Sequence, residues 1–310
     1  MDRFVLAPLA GYSDKAFRQL AREHGADIAV TEMVSAEGLA RDSRKTEALL
    51  ERGDGEDRLI IQIFAPSADP VRRAMERLLD FRPTGIDINC GCPVPKVVKT
   101  GAGSALMKDP ERMAEMVRAI TECTDIPVSV KFRLGWDSSS INYMEFAEKA
   151  IEAGASALTL HARTRAQGYS GYADWEAFRN LSEHFKGEAL LYGSGDMLTP
   201  DDAIKALDYG LDGIMFARGA IGNPFIFRQA RDLMEKGTYE LPTPREKAET
   251  AIRHLDLMIR YFGEDLAARE MRKHMMSYLK GIEGSSRIKS SITKASCRDQ
   301  YIEALSPLLL

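Results

Sequence analysis

The sequence predicts an α/β fold: a (β/α)8 TIM barrel over residues 1–238, followed by a small all-α helical bundle over residues 239–310. Short apolar runs alternate with helical patterns along most of the chain, and this alternation stops near residue 237. Only helical patterns follow. An open doubly wound sheet is the alternative, but no Gly-x-Gly-x-x-Gly follows the first apolar run, which disfavours the dinucleotide-binding form of that fold.

The predicted strands are eight short apolar runs, and eight is the number of strands that closes a β/α barrel. They lie at residues 5–7, 28–31, 59–64, 85–88, 128–131, 157–161, 189–192 and 213–216. Helical patterns lie between most of them, for example at 14–24, 70–79, 110–121 and 142–153. Strands that alternate with helices indicate a parallel sheet.

Start and stop signals support these helices. Asp69, Asp109 and Thr199 each precede a proline, which places a capping residue before a proline at the first helical position. Gly25 and Gly154 follow helical patterns at the point where a left-handed stop is expected. These signals predict where the barrel helices begin and end.

The predicted helical bundle begins after a linker at residues 237–244. Thr243 caps the next helix, Pro244 takes its first position, and Glu246 completes a capping box. Two apolar faces follow, the first formed by Ile252, Leu255, Ile259 and Phe262, the second by Met271, Met275, Tyr278, Leu279 and Ile282. The sequence therefore predicts a bundle of about 65 residues.

Composition excludes several classes of protein. The chain has 310 residues, 45% of them hydrophobic, and a net charge of −4, which is typical of globular proteins. No apolar run is long enough to span a membrane, and the N-terminal residues lack the pattern of a signal peptide. We expect a cytoplasmic monomer with reduced thiols and no metal, since Cys90-x-Cys92 is not zinc-site spacing.

The charge is distributed unevenly along the chain. Residues 245–310 contain 12 Lys/Arg and 9 Asp/Glu, whereas the remainder contains 30 and 37. On one helix, Arg269, Lys273 and Lys280 would project within about 40° of one another, with Arg272 beside them. A basic tail behind an acidic body indicates a polyanionic partner.

Polar residues gather at the predicted C-terminal ends of the strands, where β/α barrels carry their chemistry. These residues are Gln62, Asp87, Asn89, Lys131, Arg133, His161 and Arg163. A lone Gln or His at such a place is more often a structural hydrogen-bonding group. Lys131 ends an apolar strand, so it either forms an internal ion pair or faces an anionic or electron-rich ligand. Because several strand ends are polar, we favour the ligand.

The loops after the last two predicted strands are rich in glycine, at residues 193–195 and 219–222. Glycine allows backbone N–H groups to approach phosphate oxygens, and Arg218 adds positive charge. Because these two loops form the usual phosphate site of the fold, they predict a phosphorylated ligand.

Cys92 lies between Gly91 and Pro93, directly after a predicted strand and near Lys99. This position suits an acid or a nucleophile. The other cysteines, Cys90, Cys123 and Cys297, are interpreted as small buried hydrophobic residues.

Taken together, these residues resemble the tRNA-dihydrouridine synthases. The segments that carry the resemblance are APLAGYSD at 7–14, DINCGCP at 87–93, VKFRLG at 130–135, HART at 161–164, SGD at 194–196 and ARGAIG at 217–222. Their order and spacing cover the barrel, and MRKH at 271–274 with YLKG at 278–281 extends the resemblance into the tail. Leu9, Ser194 and Phe225 depart from the commonest pattern of the family, which leaves the subfamily and the tRNA position open.

The resemblance implies FMN reduced by NADPH, hydride transfer to C6 of a flipped-out uracil, and a proton from Cys92 to C5. The residues implied in FMN binding are Pro8, Leu9, Ala10, Gln62, Lys131, His161, Ser194, Gly195, Asp196, Ala217 and Arg218. The residues implied in tRNA binding are Asn89, Arg133 and Arg163 in the barrel, and Arg269, Arg272, Lys273 and Lys280 in the tail.

Three rival functions fit parts of the sequence. An FMN barrel that reduces a free pyrimidine, as a dihydroorotate dehydrogenase does, would not need the basic face of the tail. A non-redox isomerase or aldolase could use Lys131, and it would carry no flavin. A non-enzymatic RNA-binding protein would not need Cys92, Lys131 and His161 together.

Overall fold

The structure, a computed structural model, describes residues 2–310 and contains one sheet of parallel strands. The strands are β1 (Phe4–Leu6), β2 (Ile28–Ala29), β3 (Val34–Ser35), β4 (Ile60–Phe64), β5 (Gly85–Asn89), β6 (Val128–Arg133), β7 (Ala157–His161), β8 (Leu190–Ser194) and β9 (Gly213–Phe216). Their hydrogen-bonded order is β2-β1-β9-β8-β7-β6-β5-β4-β3. Each strand follows a helix or precedes one, and the parallel sheet curls into a barrel with the helices on its outside.

The barrel closes where the residues that follow β2 pair with β4. Val30 pairs with Ile60 in a parallel bridge, and the Thr31 N–H donates to the Ile60 carbonyl at 3.0 Å. Eight strands therefore form the ring, which confirms the predicted TIM barrel. The short β3 pairs with β4 through Val34 and Ile63. The sequence did not predict β3, because two residues carry no detectable period.

Helices surround the barrel and form the tail. The barrel helices are α1 (Lys15–Glu23), α2 (Ala36–Leu39), α3 (Arg44–Glu47), α4 (Ala68–Asp80), α5 (Pro95–Val98), α6 (Pro110–Thr121), α7 (Tyr143–Glu152), α8 (Glu176–Phe185), α9 (Pro200–Leu207) and α10 (Ile226–Lys236). The tail helices are α11 (Pro244–Phe262), α12 (Glu264–Tyr278), α13 (Ser286–Lys294) and α14 (Arg298–Leu309). Short 3-10 helices occupy Gly103–Lys108 and Arg218–Ala220.

Most of the predicted helix signals are confirmed. Asp109 caps α6, and Thr199 caps α9 with a complete capping box. Gly25 and Gly154 have φ values of 96° and 102°, as a left-handed stop requires. The prediction for Asp69 was wrong, because α4 begins earlier, at Ala68. Pro70 is accommodated in the first turn of α4, because the N–H groups of a first turn have no acceptor within the helix.

The tail packs directly on the barrel. Phe17 of α1 stacks on the ring of His254 in α11, with ring centroids 5.3 Å apart. The Tyr261 hydroxyl donates to Gln19 Oε1 at 2.6 Å, and Arg253 pairs with Glu23. Thr243 and Glu246 form the predicted capping box at the start of α11. The boundary at residue 238 stays a prediction.

No helix among residues 2–310 combines the length and the apolar character that a membrane crossing requires.

Candidate active site

The polar strand ends do meet at the C-terminal mouth of the barrel. In the register of the sheet, Asn89 of β5 lies beside Lys131 of β6, and His161 of β7 lies beside Ser194 of β8. Gln62 lies beside Asp87 on β4 and β5. Parallel strands present their carboxyl ends at one edge, so the barrel gathers these side chains from residues far apart in sequence.

A chain of hydrogen bonds runs through the buried floor of this site. Asp87 accepts from Ser129 Oγ at 2.5 Å and from Gln62 Nε2 at 2.6 Å. Gln62 Oε1 in turn accepts from Asn89 Nδ2 at 2.8 Å. Asn89 Oδ1 accepts from the Cys92 backbone N–H at 2.9 Å. Asp87 therefore orients Gln62, which fixes Asn89 and the loop that carries Cys92.

Asp87 is almost fully buried, with 2% of its surface exposed. Burial raises the pKa of Asp87, and the hydrogen bonds from Ser129 and Gln62 oppose that rise. The sequence placed Asp87 at a strand end but gave it no role. Its part in the site depends on a contact between two strands, which no sequence spacing reveals.

Cys92 lies on the loop after β5, and its side chain is nearly buried. Burial raises the pKa of the Cys92 thiol, so the thiol stays protonated at neutral pH. Ser104 N–H donates to the Cys92 carbonyl at 3.0 Å. Gly103 has φ of 61°, and a Cβ there would lie 2.9 Å from that carbonyl oxygen. The loop around Cys92 is therefore closely packed on its inner side.

Lys131 is half-buried in the barrel, and its ammonium group forms no hydrogen bond or ion pair with any residue between 2 and 310. Burial, together with the nearby charge of Arg133, lowers the pKa of Lys131 to about 8. The charge of Asp87 partly opposes this shift, but the two groups are not in contact. The alternative of an internal ion pair is therefore wrong within the described structure.

His161 ends β7, and its Nε2 is buried with no hydrogen-bonding partner among the described residues. Burial lowers the pKa of His161 well below its usual value, and the positive charge of Lys131 adds to this effect. The imidazole is therefore neutral at physiological pH. A buried polar atom without a partner, beside an unpaired ammonium group, is typical of a site that receives a polar ligand.

The loops after β8 and β9 enclose a cavity beside His161, whose lining includes Ser194, Gly195, Asp196, Ala217 and Arg218. Asp196 has φ of 57° and accepts from Arg163 Nη2 at 2.5 Å and from Arg218 Nη2 at 3.1 Å. Burial alone would raise the pKa of Asp196, but the hydrogen bond from Arg163 helps to hold it below its usual value. A phosphate placed here would meet an ionised carboxylate whose charge is balanced by Arg163 and Arg218.

The loop after β1 carries Pro8, Leu9 and Ala10 at the same mouth. The Leu9 N–H donates to Ser13 Oγ at 2.7 Å, which closes the loop on itself. Since the Ala7 N–H donates to the Phe216 carbonyl at 2.8 Å, this loop follows a strand that is paired directly with β9. The loop of Pro8, Leu9 and Ala10 therefore neighbours the loop that carries Ala217 and Arg218.

Arg133 and Arg163 are buried and hold backbone carbonyls. Arg133 donates to Gly91 O at 2.7 Å and to Thr164 O and Gly168 O at 3.0 Å each. Arg163 donates to Gly171 O at 2.8 Å as well as to Asp196. Both arginines therefore fix the loop after β7, which presents Tyr169 and Tyr172. Contact of either arginine with a substrate stays a prediction.

The tail residues differ in their surroundings. The prediction that Lys280 shares a helix with Arg269 and Lys273 was wrong, because α12 ends at Tyr278 and Gly281 adopts φ of 76° in the following turn. Lys273 pairs with Glu270 at 2.6 Å, and Arg272 donates to Ala295 O at 3.0 Å. Arg269 and Lys280 are exposed.

Helix α13 was missed as a candidate surface. Its sequence, SRIKSSITK, carries Arg287, Lys289 and Lys294 and no carboxylate. The sequence signal for this surface is a nine-residue stretch with three cations and no acidic residue.

The cysteines fall into different surroundings, and all four are free thiols. Cys90 is fully buried, as predicted. The prediction for Cys123 was wrong, because this residue is exposed in the turn after α6. No group of three or more His, Cys, Asp or Glu side chains within residues 2–310 could hold a metal ion.

Comparison with known proteins gives a consistent assignment. The family model for dihydrouridine synthase (Dus) matches residues 5–307. A probable tRNA-dihydrouridine synthase from Treponema pallidum is 44% identical, over 90% of this chain and 85% of its own length. A tRNA-dihydrouridine synthase B from Pseudomonas aeruginosa is 33% identical, over 96% of this chain and 90% of its own.

Among solved structures, mandelate oxidase aligns over 75% of this chain and 70% of its own, with 19% identity and a TM-score of 0.47. That similarity is too distant to bear on cofactor or reaction. The family model and the two relatives cover both the barrel and the tail. The chain therefore belongs to the dihydrouridine synthase family.

Proposed function

We propose that this protein reduces uridines in tRNA to 5,6-dihydrouridine, with FMN as its flavin and NADPH as reductant. The observation that carries the proposal is the position of Cys92. Its protonated thiol lies on a loop fixed by Asn89, at the same barrel mouth as Lys131 and His161. The names of the relatives, tRNA-dihydrouridine synthases, support the same reaction.

The residues at the mouth could hold both the ring system and the phosphate of FMN. Lys131 and His161 Nε2 offer polar groups that lack partners within the described chain. We propose that they and Gln62 hold the ring system, together with the loop of Pro8, Leu9 and Ala10. The cavity of Ser194, Gly195, Asp196, Ala217 and Arg218 would take the phosphate. When bound, FMN supplies the hydride that C6 of the uracil receives.

Cys92 would donate the proton that C5 of the uracil receives. Burial keeps this thiol protonated, which a general acid requires. Asn89 would lie beside the base, since its amide already positions the Cys92 loop. The Lys131 ammonium would stabilise negative charge that develops on the ring. Because a stacked uracil cannot reach the barrel mouth, the base must leave its stack.

The tail would hold the tRNA while the base is flipped. We propose Arg269 and Lys280 as phosphate contacts, because both are exposed. Arg272 and Lys273 already have partners in the tail, so their contribution would be smaller. The cations of α13 extend the same positive surface. Arg133 and Arg163 would act through the loop that they hold.

Replacement of Cys92 tests the proposal. Cys92→Ala should lower single-turnover reduction of an unmodified tRNA transcript by roughly 10²–10⁴-fold, the usual contribution of a general acid. Flavin content and flavin reduction by NADPH should not change, because the thiol is not needed for either. The measurement is dihydrouridine formed per enzyme that has first been reduced by NADPH.

The exposed Cys123 offers a matched control, because Cys123→Ala removes a thiol far from the mouth. Its rate should equal that of the unaltered protein. A Cys92→Ala protein that reduces tRNA at the unaltered rate would remove Cys92 from the chemistry. Reduction of free uridine as fast as tRNA would instead favour a free-pyrimidine enzyme.

A further inference from the structure

Two cations stack on one tryptophan at the edge of the barrel mouth. Lys108 Nζ lies 3.7 Å from the centroid of the Trp136 ring, and Arg165 Cζ lies 4.3 Å from it. Lys108 comes from the loop after β5, Trp136 from the loop after β6, and Arg165 from the loop after β7. We call Lys108, Trp136 and Arg165 the cation stack.

Backbone hydrogen bonds fix the cation stack. The N–H groups of Arg165 and Ala166 donate to the carbonyls of Gly135 and Trp136, both at 2.9 Å. Asn142 Nδ2 donates to Met107 O at 2.8 Å, which joins the loop of Trp136 to that of Lys108. The positions of both cations are therefore set by the barrel, so a ligand would not need to order them.

Asp109 and Asp137, next to the cation stack in sequence, have other partners, and Glu145 lines the same cavity without forming an ion pair with any residue between 2 and 310. Asp109 pairs with Arg112, and Asp137 accepts from the hydroxyls of Ser139 and Ser140. Within residues 2–310, neither Lys108 nor Arg165 has a carboxylate oxygen within 4.0 Å of its charged nitrogens. The Arg165 Nε is buried without a partner in the same part of the chain. Two positive charges thus share one ring without a counter-charge in contact.

The cation stack is connected to the catalytic loop. Arg133 donates to Gly91 O, one residue before Cys92, and to Thr164 O, one residue before Arg165. The loop after β5 also exposes Lys96 and Lys99, a few residues beyond Cys92. The loop that carries Cys92 therefore adds two exposed positive charges of its own.

We propose that the cation stack binds backbone phosphates of the RNA segment that leads into the flipped uridine, an inference that rests on the proposed function. Anions are the partners that two unpaired cations on one ring favour, because negative charge bound beside them offsets their mutual repulsion. The ring holds both side chains by cation–π contact and leaves their N–H groups free to donate. The stack would thus hold the strand in register with Cys92, while the tail holds the body of the tRNA.

The test compares two double variants that change the net charge equally. Lys108→Gln with Arg165→Gln removes the charges of the cation stack. Lys149→Gln with Arg179→Gln removes a lysine and an arginine that form exposed ion pairs on α7 and α8, and Arg179 also lies 4.7 Å from the ring of Tyr209. Binding of fluorescently labelled tRNA transcript is measured by anisotropy across a salt series, with flavin content and NADPH oxidation as checks of folding.

The cation-stack variant should bind tRNA at least about 10-fold more weakly at moderate salt, and its salt slope should fall by roughly one unit per lost phosphate contact. The control pair should keep affinity and slope. If the double variant loses flavin, the single variant Lys108→Gln is measured instead, because the Lys108 side chain is exposed. The salt slope of its tRNA binding should fall by about one unit.

Unchanged affinity and slope in the cation-stack variants would overturn the inference, as would an equal loss in the control pair or an unaltered protein that does not bind tRNA. The proposed function is judged separately by dihydrouridine formation. A protein that binds tRNA through the cation stack yet forms no dihydrouridine would end the proposed function and leave the phosphate contact standing.

Discussion

Asp87 accepts two hydrogen bonds at the floor of the site, and the positions of Gln62 and Asn89 depend on them. Ser129 and Gln62 donate to different carboxylate oxygens of Asp87, and an asparagine replaces one of these oxygens with a donor group, so one of the two donors loses its acceptor. Either the Gln62 amide turns or a buried donor is left without a partner. In both cases the loop of Cys92 loses its anchor.

We therefore expect Asp87→Asn to slow tRNA reduction by roughly 10- to 100-fold, which corresponds to about 1–3 kcal/mol for one lost buried hydrogen bond. Affinity for tRNA should stay the same, so the variant should have a lower kcat and an unchanged KM. Ser129→Ala serves as the control, because it removes one donor and leaves Gln62 bound to Asp87. An Asp87→Asn enzyme with the unaltered kcat would show that the hydrogen-bond chain does not position Cys92.

At this scale the sequence predicted residue types better than residue contacts. Gln62, Lys131 and His161 were singled out because they end apolar strands, and the structure does bring them to one mouth. The partners of Arg133 and Arg163 are backbone carbonyls of a later loop. Such contacts leave no mark on composition or spacing, so they could not be predicted from one sequence.

At the scale of elements, the contact between the barrel and the tail depends on a glycine. Gly222, in the loop after β9, has φ of 70°, and a Cβ there would lie 2.4 Å from the Ser277 backbone carbon of α12. No side chain fits that space without displacing the helix. The tail can therefore lie close to the glycine-rich loop after β9 only because residue 222 lacks a side chain.

Gly222→Ala should destabilise the protein by about 1–3 kcal/mol more than Gly237→Ala, because only the first adds overpacking to the cost of a left-handed alanine. Gly237 is a matched control, with φ of 75° and open space around its Cβ position. Urea unfolding of both variants gives the comparison. Equal free energies of unfolding would show that the close approach of α12 does not constrain residue 222.

Elements with strong local signals were predicted well, and those set by tertiary contacts were not. The capping boxes at Thr199 and Thr243 act within four residues, so the sequence contains the whole interaction. The helix of Arg269 was predicted to reach Lys280, whereas α12 ends at Tyr278, two residues earlier. The short β3 exists only through its pairing with β4.

At the scale of the whole molecule, negative and positive charge are separated. The barrel carries the excess of carboxylates, and residues 245–310 carry 12 Lys/Arg against 9 Asp/Glu. The structure adds that positive charge also follows the mouth of the barrel, through Lys96, Lys99 and the cation stack. An acidic protein can therefore offer RNA positive side chains on the loops at the mouth of its barrel.

The overall architecture could be predicted because the alternation of strand and helix patterns can be read directly from the sequence. Eight alternating units can close in few ways, and the order of the motifs fixed the mouth of the barrel as the site. The charge of single helices did not suffice to locate the RNA surface. Whether a cation is free depends on neighbours such as the Ala295 carbonyl, which lies 23 residues beyond Arg272 and reaches it only through the tertiary fold.

The most direct test of the central claim is the mass of the uridines in tRNA after reaction. Purified protein is incubated with FMN, NADPH and an unmodified tRNA transcript, and the RNA is digested to nucleosides for mass spectrometry. We predict that specific uridines gain two hydrogen atoms, and that omission of FMN, NADPH or protein abolishes the change. Oxidation of NADPH by a flavin-loaded protein that binds the transcript but leaves the mass of every uridine unchanged would contradict the account.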